Sequence, residues 1–196
     1  MRLQRSFFEG STLDIARALL GKTLVHETSE GITSGMIVET EAYLGEIDDA
    51  SHSYKGKTDR VRVMYDEKGH AYIYLIYGMY YCFNITSGPK GLPEAILIRS
   101  LEPLSGIELM KERRKTDKMH NLCSGPGKLC MALGLGKEQY GEDLCGGGAL
   151  YLEHGDRAVE VAESKRINID YALNSRDKLW RFTVKGNNFA TKPIIM

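Results

Sequence analysis

Ala71-Tyr72-Ile73-Tyr74-Leu75-Ile76-Tyr77-Gly78-Met79-Tyr80-Tyr81-Cys82-Phe83-Asn84-Ile85 is the stretch whose reading decides the fold. Its β-branched and aromatic content is that of a strand. Gly78 offers a bend, so the stretch reads as an antiparallel hairpin. Five of the eleven tyrosines fall between residues 72 and 81. Packing on a core is the commoner use of such residues. Alternation supplies a second use, because Tyr72, Tyr74 and Ile76 share a face. Tyr77 sits at the bend beside Gly78 and Met79, a stiff tip of the kind that wedges between stacked bases.

Upstream, Val38-Glu39-Thr40-Glu41-Ala42-Tyr43 reads as another strand. Successive side chains point to opposite faces. Met36, Val38, Thr40, Ala42 and Leu44 then share a mostly apolar face; Ile37, Glu39, Glu41 and Tyr43 share the other. A carboxylate beside an aromatic ring on a rigid element suits a catalytic acid or base. On pattern alone, two solvated glutamates are the commoner outcome. Tyr74, expected on a neighbouring strand, is placed to face Tyr43 and stack a flat ring between them.

The remaining elements follow from local signals. Ser11-Thr12-Leu13-Asp14 caps a helix that Gly21 ends, and Thr23-Leu24-Val25 is a short strand. The polar connection from Gly45 to Gly69 carries Asp48, Asp49, His52, Lys55, Lys57, Arg60 and Arg62; a connection that long is usually functional or mobile. A strand from about Ala95 to Leu101 ends near Arg99, and Pro103 opens a helix. Ser124-Gly125-Pro126-Gly127-Lys128 starts another helix, running through Leu133. Gly134 to Gly148 is irregular, and short strands follow, Trp180 to Val184 the clearest. The class is mixed α and β (α+β), one domain over residues 1–196 with an antiparallel sheet.

The chain of 196 residues has 26 Lys+Arg against 26 Asp+Glu. Zero net charge gives no whole-molecule attraction to nucleic acid or anionic membrane. The four cysteines form no C-x-x-C and have no closely spaced histidine, which disfavours zinc. With no signal peptide in view, free thiols in the cytoplasm are expected. No apolar run is long enough to span a membrane.

Three further features carry candidate chemistry. Gly125 and Lys128 stand at a helix start, where backbone N–H groups attract anions; an ordinary capped start is the plainer reading, and the P-loop spacing is absent. Lys57 and Arg60, in the basic cluster, could track a phosphate backbone, or form a solvated charge run. His52 and Arg99 matter only if both lie near Glu41. No G-x-S-x-G elbow and no G-x-G-x-x-G turn is present.

Taken in order, Ile37 to Gly45, Ile76 to Tyr80 with Asn84-Ile85, Arg99 to Leu104, and Leu122 to Cys130 resemble the alkyladenine (3-methyladenine, methylpurine) DNA glycosylase family along nearly the whole chain. The resemblance implies a compact domain with a curved sheet and a hairpin that enters the minor groove of double-stranded DNA. It implies a monofunctional enzyme, without cofactor or metal, that flips alkylated or deaminated purines and hydrolyses their N-glycosidic bond. Glu41 matches the carboxylate that activates water and Arg99 a residue that helps hold it. Tyr43, His52 and Tyr74 match the walls around the flipped base, His52 also contacting the water through its main chain. Asn84 matches the side chain that opposes the exocyclic amine of guanine. Tyr77 matches the residue that fills the gap in the duplex, with Met79 beside it; Lys57, Arg60, Gly125 and Lys128 are expected on DNA. A near-minimal, bacterial-type monomer is expected. A non-catalytic stacking platform and a hydrolase of free nucleosides are the competing readings; a wedge argues against the second.

Overall fold

The computed structural model describes residues 1–155 and 157–191. Its strands are β1 (Thr23–Thr28), β2 (Gly31–Tyr43), β3 (Ala71–Ile76), β4 (Tyr80–Thr86), β5 (Ala95–Ser105), β6 (Leu150–Glu153), β7 (Val161–Ser164) and β8 (Arg181–Val184). The helices are α1 (Thr12–Ala18), α2 (Ile107–Arg114) and α3 (Pro126–Leu133). Eight strands form one sheet in the order β3-β4-β5-β2-β1-β6, with β8 on β2 and β7 on β8. All of these pairings are antiparallel. The fold is mixed α and β around a curled antiparallel sheet.

β2 is the organising strand. β5 follows one of its edges from Ser34 to Tyr43. The other edge changes partner: β1 takes residues 31–36, and β8 takes Glu39 to Glu41. Register shifts between Ile37 and Glu39 and between Glu39 and Thr40 mark a bulge at this changeover, and a bulge re-aims side chains. Alternation therefore holds from Glu39 onward and breaks upstream. Ile37, rather than Met36 or Val38, joins the core cluster that contains Ala42.

The same period divides the sheet into a core face and a site face. Ile73, Phe83, Ile85, Ile96 and Ile98 pack in the main core with Ile15 and Leu19 near α1 and Leu129 and Leu133 of α3. Each such side chain contributes roughly 1.5–3 kcal/mol on full burial. Their neighbours Tyr72, Tyr74, Cys82, Asn84, Leu97 and Arg99 line a cavity on the opposite side.

Two expectations are corrected. Pro103 does not open a helix: β5 runs on to Ser105, with Pro103 paired to Gly35, and α2 starts only at Ile107. Arg99 is therefore mid-strand. β3 is also not next to β2, since β4 and β5 lie between them; Tyr74 and Tyr43 meet across one cavity because the sheet curls. The Ser11 cap on α1, the hairpin, and the span of α3 are as expected. The connection from Gly45 to Gly69 is anchored by Val61, Val63 and Met64, which pack with Tyr72 and Ala95.

Candidate active site

Glu39 and Glu41 do not face water; neither has any solvent exposure. Burial of a carboxylate demands partners, and the two are partnered differently. Glu39 Oε1 accepts from Arg99 Nε at 2.9 Å and from Arg181 Nε at 2.7 Å. Its Oε2 accepts from Ser100 Oγ at 3.0 Å and the Thr191 N–H at 2.8 Å. Burial opposes the Glu39 charge, but Arg99 and Arg181 outweigh it and hold its pKa below the ordinary value. Glu39 is saturated.

Glu41 has three donors. Oε2 accepts from the Tyr43 hydroxyl at 2.9 Å and Arg99 Nη1 at 3.3 Å; Oε1 accepts from the Ile167 N–H at 2.8 Å. A carboxylate offers about four lone-pair directions, so one on Oε1 is left over. Tyr43, Arg99 and Ile167 all line the cavity, whose volume is about 530 Å³. Burial opposes the Arg99 charge, while Glu41 and Glu39 keep it firmly protonated. Burial, with Glu41 nearby, holds the Tyr43 phenol well above its ordinary pKa, so it donates as a neutral group.

His52, Tyr72 and Tyr74 form an aromatic corner. The His52 and Tyr74 rings meet edge-on with centroids 4.5 Å apart, and His52 Nδ1 lies 2.9 Å from the Tyr72 hydroxyl. His52 keeps part of its surface open to solvent. Even so, the atoms packed around it, and then the Arg60 cation, lower its pKa to about 4. Asn84 is tethered by Nδ2 to the Tyr72 carbonyl at 3.0 Å and lines the cavity. His52 makes no direct bond to Glu41: His52 and Tyr43 line the cavity, and Glu41 lies behind it, bonded to the Tyr43 hydroxyl.

At the hairpin tip, the Met79 N–H donates to the Ile76 carbonyl at 3.2 Å, with φ of 53° at Tyr77 and 69° at Gly78. Positive φ at both central residues is the sign of a type I′ turn, which glycine accepts readily and tyrosine does not. Tyr77 is 77% and Met79 65% exposed. The α3 start packs beside the hairpin: a Cβ on Gly127 would come within 3.0 Å of Tyr80 Cβ. Lys128 Nζ reaches Ser124 Oγ and Asn121 Oδ1, each at 3.4 Å. Arg60 lies 5.0 Å over the Tyr74 ring and Lys57 5.3 Å over Tyr65. Neither these two nor Lys128 lines the cavity.

The Methylpurine-DNA glycosylase (MPG) family matches residues 6–188. This chain belongs to that family. It is 50% identical to a protein of Clostridium tetani over 98% of this chain and all of the relative. A Methanocella arvoryzae protein is 46% identical, over 97% and 96% of the two chains. A Bacillus cereus protein is 47% identical, over 98% of this chain and all of the relative. All three carry the name "Putative 3-methyladenine DNA glycosylase". As a member of this DNA glycosylase family, the chain is assigned to DNA repair.

Sequence reasoning missed the C-terminal contribution. Arg181, 2% exposed, closes the far side of Glu39, and the Ile167 N–H holds Glu41. Arg181 stands between Trp180 and Phe182 in a strand, and an arginine in an apolar run was the available signal. Ile167 acts through its backbone, which leaves no trace in residue identity. Among the described residues, no His, Cys, Asp and Glu group is arranged to hold a metal ion, and no helix is long and apolar enough to cross a membrane.

Proposed function

We propose that this chain excises alkylated or deaminated purines, of the 3-methyladenine, 7-methylguanine and hypoxanthine type, from duplex DNA as the first step of base-excision repair. The observation that carries the reading is a buried glutamate with one free lone-pair direction, set behind an aromatic cavity beside an exposed wedge. About 530 Å³ falls within the roughly 300–1,000 Å³ of small-ligand sites.

A stacked base cannot be attacked, so it is extruded, at a cost of a few kcal/mol that is smaller for a damaged pair. Tyr77, with Met79, enters from the minor groove and fills the gap; aromatic–base stacking contributes roughly 1–3 kcal/mol. The flipped purine lies among Tyr43, Tyr74 and His52. An alkylated, cationic ring gains cation–π attraction there, and Asn84 opposes the exocyclic amine of guanine. Glu41 Oε1 takes the proton from a water that attacks C1′ while the bond to the purine nitrogen breaks. Its charge also stabilises the developing oxocarbenium ion, and Arg99 helps hold the water. Lys57, Arg60, Lys128 and the backbone at Gly125 serve the phosphates. No lysine lines the cavity among the described residues, in keeping with water as nucleophile and no strand cleavage at the abasic site. The enzyme works as a monomer without cofactor or metal.

The deciding experiment measures free base released from duplexes carrying hypoxanthine or a methylated purine. Release by the wild type with strand left intact is expected. Tight binding with no release would favour a stacking platform instead.

A further inference from the structure

The buried pair Asp48–Arg166 has no role in the steps above, yet it is connected to the cavity wall on several sides. Arg166 Nη1 donates to Asp48 Oδ2 at 2.6 Å and Nη2 to Oδ1 at 2.8 Å, with neither side chain exposed. Two-pronged pairing of this kind fixes orientation as well as distance. Nη1 also donates to the carbonyl of Ala42, between Glu41 and Tyr43, at 2.9 Å. The guanidinium carbon lies 4.6 Å from the Tyr43 ring centre and 5.0 Å from that of Trp180. Nε has no acceptor among the described residues, as befits a guanidinium given over to ring faces.

Asp48 ties in the other segments. It accepts from the Leu44 and Ala50 N–H groups at 3.1 Å each, and from Ser175 Oγ at 2.7 Å. The pair therefore joins the end of β2, the segment that carries His52, and the segment that follows Arg166. The residue next to Arg166 is Ile167, whose N–H holds Glu41 Oε1.

We infer that Arg166, locked by Asp48, is a positioning residue for base release: it places the Ile167 N–H on Glu41 and backs the Tyr43 ring from outside the cavity. This rests on the glycosylase reading above. A buried ion pair by itself is commonly structural; here its links lead to the two contacts that aim the catalytic carboxylate, the Tyr43 hydroxyl and the Ile167 amide.

The test is single-turnover base release from a hypoxanthine duplex with enzyme in excess, for wild type, Arg166→Lys and the isosteric Asp48→Asn. Amplitude reports the folded fraction, and the rate constant reports the folded molecules. We expect the rate constant to fall about 10- to 100-fold in both variants, the scale of a misplaced catalytic group. Binding to a duplex bearing a stable abasic-site analogue should change little. The Ile167 amide should exchange faster with solvent, and the emission of Trp180, the only tryptophan, should shift. Loss of amplitude with an unchanged rate constant in either variant would show a purely structural pair and overturn the inference. A wild type that releases no base from any lesion would sink the glycosylase reading itself.

Discussion

Arg99 and Arg181 meet on a single oxygen: the Nε of each donates to Glu39 Oε1. The two cations come from β5 and β8, the strands that flank β2 on either side of Glu39. Glu39 is thereby consumed in holding the sheet together, and Glu41 is the carboxylate with a lone-pair direction left for the proposed chemistry. Glu39→Gln leaves two buried guanidiniums short of charge and should cost about 3–5 kcal/mol of stability. Glu41→Gln, with Arg99 still paired to Glu39, should cost much less stability and slow base release by about 10²- to 10⁴-fold. Denaturant unfolding and single-turnover release on the same preparations separate the two. A folded Glu39→Gln protein as slow as Glu41→Gln would refute this division of labour.

The same network sets acid sensitivity. Arg99 and Arg181 depress the Glu39 pKa in the folded state against the burial that opposes them. A depressed carboxyl contributes stability above its unfolded value, 4.5, and loses it as pH falls through the folded value. Asp49, which accepts from Ser175 Oγ and the N–H groups of Leu173, Asn174 and Ser175, is drawn from 3.8 to about 2. These two carboxylates should therefore take nothing from the thermal midpoint above about 4.5 and lower it below that. The amides of residues 173–175 should lose protection only between 3.8 and about 2. A midpoint that rises below 4.5 would contradict the sign.

His52 should stay uncharged wherever the enzyme works. Its pKa of about 4, lowered by the packing around it and by Arg60, lies below the ordinary 6.5. The unfolded chain takes up that proton first, so this group erodes stability as pH falls from 6.5 towards 4. The His52 ring resonances should be flat from pH 8 to about 5.5 and move only below. A His52 midpoint at or above 6.5 would mean that a cation faces the base.

Tyr77 combines the proposed wedge role with backbone strain. A non-glycine residue at φ of 53° is disfavoured, while Asn-Gly is the preferred pair for this turn. Tyr77→Asn should hold or raise stability by up to about 1 kcal/mol and still weaken base release from duplexes. Release from single strands, which need no wedge, should suffer less. Equal loss on both substrates would remove the wedge role.

Periodicity exposed much of this. The hairpin, the span of α3 and the pairing of Glu41 with Tyr43 were legible because each depends on local spacing. The burial of Glu39 and Glu41 was not, because it is created by β8 and the 166–175 segment, more than 120 residues downstream. Pro103 misled because proline opens helices, yet also sits in strands at irregular positions, here beside a register shift. Motif resemblance singled out Glu41 over Glu39; the hydrogen bonds differ in the same sense, four donors on Glu39 and three on Glu41.

The near-contact of Gly127 with Tyr80 also has a mechanical consequence. A hairpin that enters a duplex as proposed would carry load, and a two-strand ribbon alone would flex under it. Here the ribbon rests against the first turn of α3 at Tyr80, the first residue of β4 after the turn, and α3 is rooted in the core through Leu129, Cys130 and Leu133. The missing side chain at Gly127 sets how closely that strut approaches. On the proposed reading, the stiffness of the tip is thus set from its side, by a residue whose contribution is the side chain it lacks.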